Sequence, residues 1–237
     1  MNILLQNNWH YSYKSYTTTY MIFFLKKMRL NLGALLFCFC PLSAAWAHPH
    51  VFVEAQSELV YDTASNLTGV RQSWTFDENF STFAVQGLDS KKDGKYTRED
   101  LADLAKTNVE SLSEFGYFTS GKSSGKKLEF IDPKDPWLEF NNKKLTLHFL
   151  LPLKVPVSGR TVAFEVSDAT YYVDFNFIEK NPVTLSGAPS GCSVTMKKPP
   201  QLDAAKSKTL SEDFFTQMSA SSNYGANFAT HALVVCP

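Results

Sequence analysis

The chain has 237 residues, enough to bury a real core in one domain or two, and its 23 basic and 23 acidic residues balance. The balance hides a split: residues 1–47 hold Lys14, Lys26, Lys27 and Arg29 and no acid, leaving 19 basic against 23 acidic residues, a net charge of −4. A mildly acidic molecule lacks the overall electrostatic footprint of a nucleic-acid binder, and nucleic acid is not expected as a partner.

In chain order, the first legible element is an export signal. Lys26, Lys27 and Arg29 form a positive start, Leu30 to Cys40 a short apolar run, and Ala45-Trp46-Ala47 a peptidase site. The run is too short for a good anchor, so the mature protein is expected in the periplasm and not embedded in the membrane. Residues 28–47 make a signal of ordinary length, and residues 1–27 read as an over-called start. The working molecule, 48–237, is expected to be a single periplasmic domain beginning at His48.

Residues 51–61 and 67–76 read as strands, and Asp77 as the cap of a short helix reaching about Leu88. A polar loop, 89–96, precedes a longer helix whose apolar face is Leu101, Leu104, Ala105, Leu112 and Phe115. Strands follow at 127–131, 144–151, 161–166, 171–177 and 192–197, separated by Pro, Gly, Asn and Asp. After a polar linker, Thr209 and Glu212 form a capping box for a helix striped by Leu210, Phe214 and Met218, and a last strand reaches Cys236. The expected class is α+β: a mostly antiparallel β-sheet core, an EF-hand-like helix-loop-helix insert and a C-terminal helix.

Cys38 and Cys40 leave with the signal. Cys192 and Cys236 remain, an even pair in an oxidising compartment, and read as one disulfide.

Gly116-Tyr117-Phe118-Thr119-Ser120-Gly121-Lys122-Ser123 fits a phosphate-loop pattern in letters only. A phosphate loop follows a strand and opens a helix, whereas here a helix precedes and a strand follows. Asp89-Ser90-Lys91-Lys92-Asp93-Gly94-Lys95-Tyr96-Thr97-Arg98-Glu99-Asp100 overlies a calcium loop more closely. Asp89, Asp93, Gly94 and Asp100 stand in ligand or turn positions. Lys91 replaces an oxygen ligand, and Asp100 the longer Glu that closes the site. The loop therefore reads as degenerate, its calcium affinity weak or lost, with Thr97 and Asp100 able to form a capping box.

His48-Pro49-His50 is the sharper signal. Cleavage after Ala47 would leave His48 with a free amine that chelates together with its ring, and His50 lies two residues on. Pro49 has no amide proton to lose, which excludes the square-planar copper or nickel chelate through position two. A two-histidine brace for nickel, cobalt, copper or zinc remains, set against a mobile terminus that merely contains two histidines. His148 is a candidate third ligand, His231 a weaker one. No serine-hydrolase, zinc-protease or paired-carboxylate arrangement is present, so no enzyme is expected.

His-Pro-His-Val-Phe-Val, Trp74-Thr75-Phe76-Asp77-Glu78, Gln86-Gly87-Leu88-Asp89, Thr170-Tyr171-Tyr172-Val173-Asp174-Phe175, Gly187-Ala188-Pro189-Ser190-Gly191-Cys192 and Ser222-Asn223-Tyr224-Gly225 together resemble a bacterial family of unknown function. That family is described as the periplasmic component of an uncharacterised ABC-type transport system. The resemblance spans essentially 48–236 and implies a periplasmic location and a link to nickel/cobalt transporters. The expected function is an accessory or binding protein handling a divalent transition metal for an inner-membrane transporter. The alternative is a calcium-responsive or structural interaction module without catalysis.

Overall fold

The structure is a computed structural model that describes residues 49–89, 91, 93–158, 160–198 and 229–237. Two sheets carry it. The first contains β5 (Lys134–Asn141), β6 (Lys144–Val157), β2 (Leu67–Phe76), β1 (Val51–Tyr61) and β8 (Val173–Phe177) in that order, with β9 (Val183–Ser186) also on β1. The second runs β10 (Ser193–Lys197), β11 (His231–Val235), β7 (Thr161–Val166), β3 (Thr119–Ser123), β4 (Lys126–Lys127).

β1 organises the first sheet. Its odd-numbered residues from Val51 to Tyr61 are all buried, and its even-numbered ones face outward, as period-two geometry requires. One edge pairs antiparallel with β2; the other is shared by two parallel partners, β8 over Val51–Ala55 and β9 over Ser57–Val60. The β1–β2 turn folds around Asp62, whose carboxylate accepts the Ala64 and Asn66 amides at 2.9 and 2.8 Å. The Asn66 bond, first of all, holds the Asp62 carboxyl below its ordinary pKa.

Both sheets bury one contiguous apolar cluster. Trp74 lies inside it, edge-on to Phe149 and Phe175 with centroids 4.9 and 5.0 Å away. A buried polar chain crosses between the sheets: Ser57 Oγ donates to Gln72 Oε1 at 2.6 Å, and Gln72 Nε2 donates to Thr119 Oγ1 at 3.2 Å.

The α+β expectation is corrected. The described residues form a β-rich, two-sheet fold in which helix is confined to α1 (Glu78–Ala84), α2 (Ala102–Glu110) and a 3-10 stretch, Leu112–Phe118. Asp77 does cap α1, accepting the Asn79 and Phe80 amides at 3.0 Å, but the chain then turns to bury Val85. α2 starts without a side-chain cap and stops after nine residues. The apolar stripe was real, since Leu101, Leu104, Ala105 and Leu112 are all buried. It marks where the segment touches the core rather than how long it stays helical. The helix-loop-helix insert is also not an EF-hand pair: α1 packs on β6 and α2 on β5, each helix finding its apolar partner in the sheet. The helix expected over 209–222 lies outside the described residues.

Candidate functional site

The head of β1 is held by a folded turn. Asp168, 6% exposed, accepts hydrogen bonds from the Thr170 amide (2.9 Å) and hydroxyl (2.8 Å) and from the Tyr172 and Val173 amides (3.0 Å each). Wrapping Thr170 to Val173 around one carboxylate sets Tyr171 at φ +57° and aims the Tyr172 carbonyl at the incoming chain. The amides of His50 and Val51 donate to that carbonyl at 2.9 and 3.3 Å, and the exposed His50 ring lies 4.6 Å from the Tyr172 ring. His50 is therefore fixed at its backbone. His48 lies outside the described residues.

Acidic groups follow directly. The Phe52 amide donates to Asp77 Oδ2 at 3.1 Å, and Phe52 is paired in register with Asp174. Burial raises the Asp174 carboxyl above its ordinary pKa, and burial plus the Asp174 charge pushes Tyr171 up to about 12. Glu54, on the same face as His50, is engaged elsewhere, bonded to Lys144 Nζ at 3.2 Å.

His148 stands apart from this group. In the sheet it shares a row with Ser73 and Gln56. Gln56 is six residues beyond His50, about 20 Å along an extended strand. One ion cannot bridge that span. The His148 ring is also occupied: Nδ1 meets Ser73 Oγ at 2.9 Å, Nε2 meets Glu139 Oε1 at 3.2 Å, and Trp137 stacks on it at 3.9 Å. Burial lowers its pKa, outweighing the Glu139 carboxylate that raises it. Arg98 lies over the Trp137 ring at 4.3 Å.

The calcium-like loop closes on its own backbone. Asp89 accepts the Asp93 and Gly94 amides at 3.2 and 2.8 Å, and Asp93 accepts the Lys95 amide at 3.0 Å. Gly94 makes the turn at φ +73°, where a side chain would be strained. Asp100 and Thr97 form a reciprocal box: Asp100 Oδ2 accepts the Thr97 amide and hydroxyl at 2.9 and 2.8 Å, and Thr97 Oγ1 accepts the Asp100 amide at 3.2 Å. Among the described residues no three His, Cys, Asp or Glu side chains converge as a metal set. The disulfide between Cys192 and Cys236 is formed, joining the start of β10 to the end of β11 with Cα atoms 4.1 Å apart.

Sequence reasoning missed the concave surfaces. A cleft of about 950 Å³ opens beside the 3-10 stretch, β3, β4 and β7, lined in part by Phe115, Tyr117, Lys127, Lys154, Glu165 and Asp168. Its wall contains three consecutive left-handed residues, Gly116, Tyr117 and Phe118, at φ +58°, +58° and +47°. Such runs are unfavourable for residues with a Cβ and concentrate at functional positions. The segment was visible in the sequence as a false phosphate loop; its Gly121, Lys122 and Ser123 belong to β3. A second hollow of about 280 Å³ shares Ser120, Lys127 and Glu165 with the cleft and adds Lys122 and His231.

Two sheets on one core, an N-terminal strand held by a Thr-Tyr-Tyr-Val turn and a disulfide across β10 and β11 define a β-rich protein in which His50, His148 and His231 lie at strand ends and outer faces. The chain belongs to the family described as "Protein of unknown function (DUF1007)", whose profile matches residues 33–236. It is similar to the "Uncharacterized 15.5 kDa protein in trpE 3'region" of Spirochaeta aurantia, with 28% identity over 120 residues, 50% of this chain and 86% of that protein. No helix among the described residues is long and apolar enough to cross a membrane.

Proposed function

We propose that the exported protein handles a divalent transition metal in the periplasm on behalf of an inner-membrane transporter, taking the ion at its processed N-terminus. The observation that carries this reading is the anchoring of His50: two backbone bonds to Tyr172 and a ring contact hold it at the head of β1. Cleavage after Ala47 would place an amine and a second imidazole within two residues of that fixed histidine. An anchored donor loses less freedom on binding than one in a mobile tail. His148 does not take part, being committed to Ser73 and Glu139 in a distant row. The remaining coordination positions fall to water or to the transporter.

Calorimetric titration with nickel, copper and zinc on two forms, one starting at His48 and one extended by a residue, tests the reading. Tight binding is expected only for the native start and should weaken from pH 8 towards 6, as the amine and imidazoles take up protons. Equal affinity of the two forms would return the histidines to a simple terminus. The second reading, a calcium-responsive interaction module, draws support from the intact Asp89 cradle of the Asp93 and Gly94 amides. A calcium-dependent rise in melting temperature, absent in Asp89→Ala, would favour it.

A further inference from the structure

We propose that the outer face of the second sheet holds a binding site for a phosphate-class oxyanion, built around His231 in the hollow lined by Ser120, Lys122, Lys127 and Glu165. The site is independent of the N-terminal histidines. It begins with strand register. His231 on β11 faces Glu165 on β7, and Glu165 faces Ser120 on β3, so three polar side chains stand in one outward row. Glu165, only 14% exposed at its side chain, stands between both neighbours: Oε1 accepts the Ser120 hydroxyl at 2.8 Å, and Oε2 lies 2.8 Å from His231 Nδ1. The carboxylate stands in the middle, so the serine is bonded to an acid and not to an imidazole, and no nucleophile is activated. The contact sets Nδ1 of the ring against the carboxylate and leaves the half-exposed ring on the hollow, where its other nitrogen, Nε2, can meet a ligand.

The surroundings supply the rest of an anion's needs. Lys122 and Lys127 are cross-strand partners on the rim, and Lys197 is the β10 partner of His231. Every strand flanking His231 is thereby accounted for: Lys197 on one side and Glu165 on the other, with Lys122 and Lys127 beyond it. Three lysines against one carboxylate give this face a positive sign on a mature chain of net charge −4. The hollow, about 280 Å³, suits a small tetrahedral anion, with room for its water. That anion has two sources, a free inorganic ion or the headgroup of an anionic phospholipid. Leu233 and Val235, two and four residues along β11 on the same face and 40% and 43% exposed, would suit the second.

Inorganic sulfate is the probe for the free-ion arm. Titrated into the full mature protein at low salt, it should shift the His231 ring resonances saturably. K127A and H231Q should each weaken binding several-fold. E165Q, which removes the carboxylate from this row, should tighten sulfate binding, while H50A should change nothing. Phosphatidylglycerol vesicles, with phosphatidylcholine vesicles as control, form the other arm. Saturable binding of sulfate or phosphate assigns a free oxyanion; retention on phosphatidylglycerol alone, lost in K127A, assigns a lipid headgroup. No binding in either arm, or equal binding by wild type, K127A and H231Q, overturns the site.

Discussion

Lys143 shows how a single residue carries backbone cost in this fold. It and Asn142 form the two-residue turn between β5 and β6, at φ +64° and +51°, the left-handed pair that a tight hairpin demands. Asn tolerates that conformation; a lysine Cβ does not, at about 1–2 kcal/mol per residue. Lys143→Gly is expected to raise unfolding free energy by about 0.5–1 kcal/mol in urea titration, the gain reduced by the freedom glycine adds to the unfolded chain. His148 gives the second residue-scale expectation. Burial lowers its folded pKa below its ordinary value of 6.5, so below that pH the unfolded chain takes up a proton that the folded chain resists. This contribution is fully present above pH 6.5 and is lost as pH falls towards the depressed folded value. Denaturation followed between pH 7.5 and 5 should therefore show a shallower acid loss in His148→Gln than in wild type.

At the scale of elements, turns place the site more than helices do. The Thr170 to Val173 turn packs Tyr172 and Val173 on the core, and its shape comes from four bonds to the Asp168 carboxylate. Asp168→Ala leaves those donors to find water in a mostly buried place and should cost about 3 kcal/mol, with the Tyr172 carbonyl no longer held towards β1. If the N-terminal histidines bind metal, the same variant should lose affinity as well as stability, whereas an equally destabilised core variant should lose stability alone. The calcium-like loop obeys the same logic. Its Asp89, Asp93 and Asp100 carboxylates already accept backbone or hydroxyl protons, and Tyr96 docks on the Phe140 ring at 4.9 Å. The loop keeps its shape from these contacts.

At the scale of the molecule, the two sheets are joined by packing, by one buried polar chain and by chain crossings. Gln72, fully buried, bridges Ser57 in the first sheet to Thr119 in the second. Gln72→Leu keeps the volume but strands the buried Ser57 hydroxyl, while Thr119 keeps its bond to the Tyr117 carbonyl, and should destabilise by about 1–3 kcal/mol in denaturant melts. The cystine acts on the unfolded chain. It closes a 44-residue separation, and the chain-entropy relation puts its contribution at about 4 kcal/mol. Cys192→Ser with Cys236→Ser should lower the denaturant midpoint accordingly, and a shift under about 1 kcal/mol would mean that β10 and β11 hold their register without it.

The sequence determined what is local or periodic. The first two strands were legible to the residue, because β1 and β2 present hydrophobic faces of fixed period and are bounded by Asp62 and Asp77, acids that fold their own turns. The Thr97–Asp100 box and the cystine were legible for the same reason: each depends on two side chains of known chemistry. Tertiary structure decided everything that depends on which strands become neighbours. Helical periodicity in Leu101 to Leu112 reported burial against β5, not length, because a stripe of apolar residues reads the same whether the helix continues or bends into a 3-10 turn. His148 looked like a ligand since strand parity turned it outward; only the register set it in the Gln56 row, far from His50 and against Ser73, Glu139 and Trp137. Ser120, Glu165 and His231 are 45 and 66 residues apart in sequence, and no pattern in the chain joins them. Pairing β3 with β7 and β7 with β11 does.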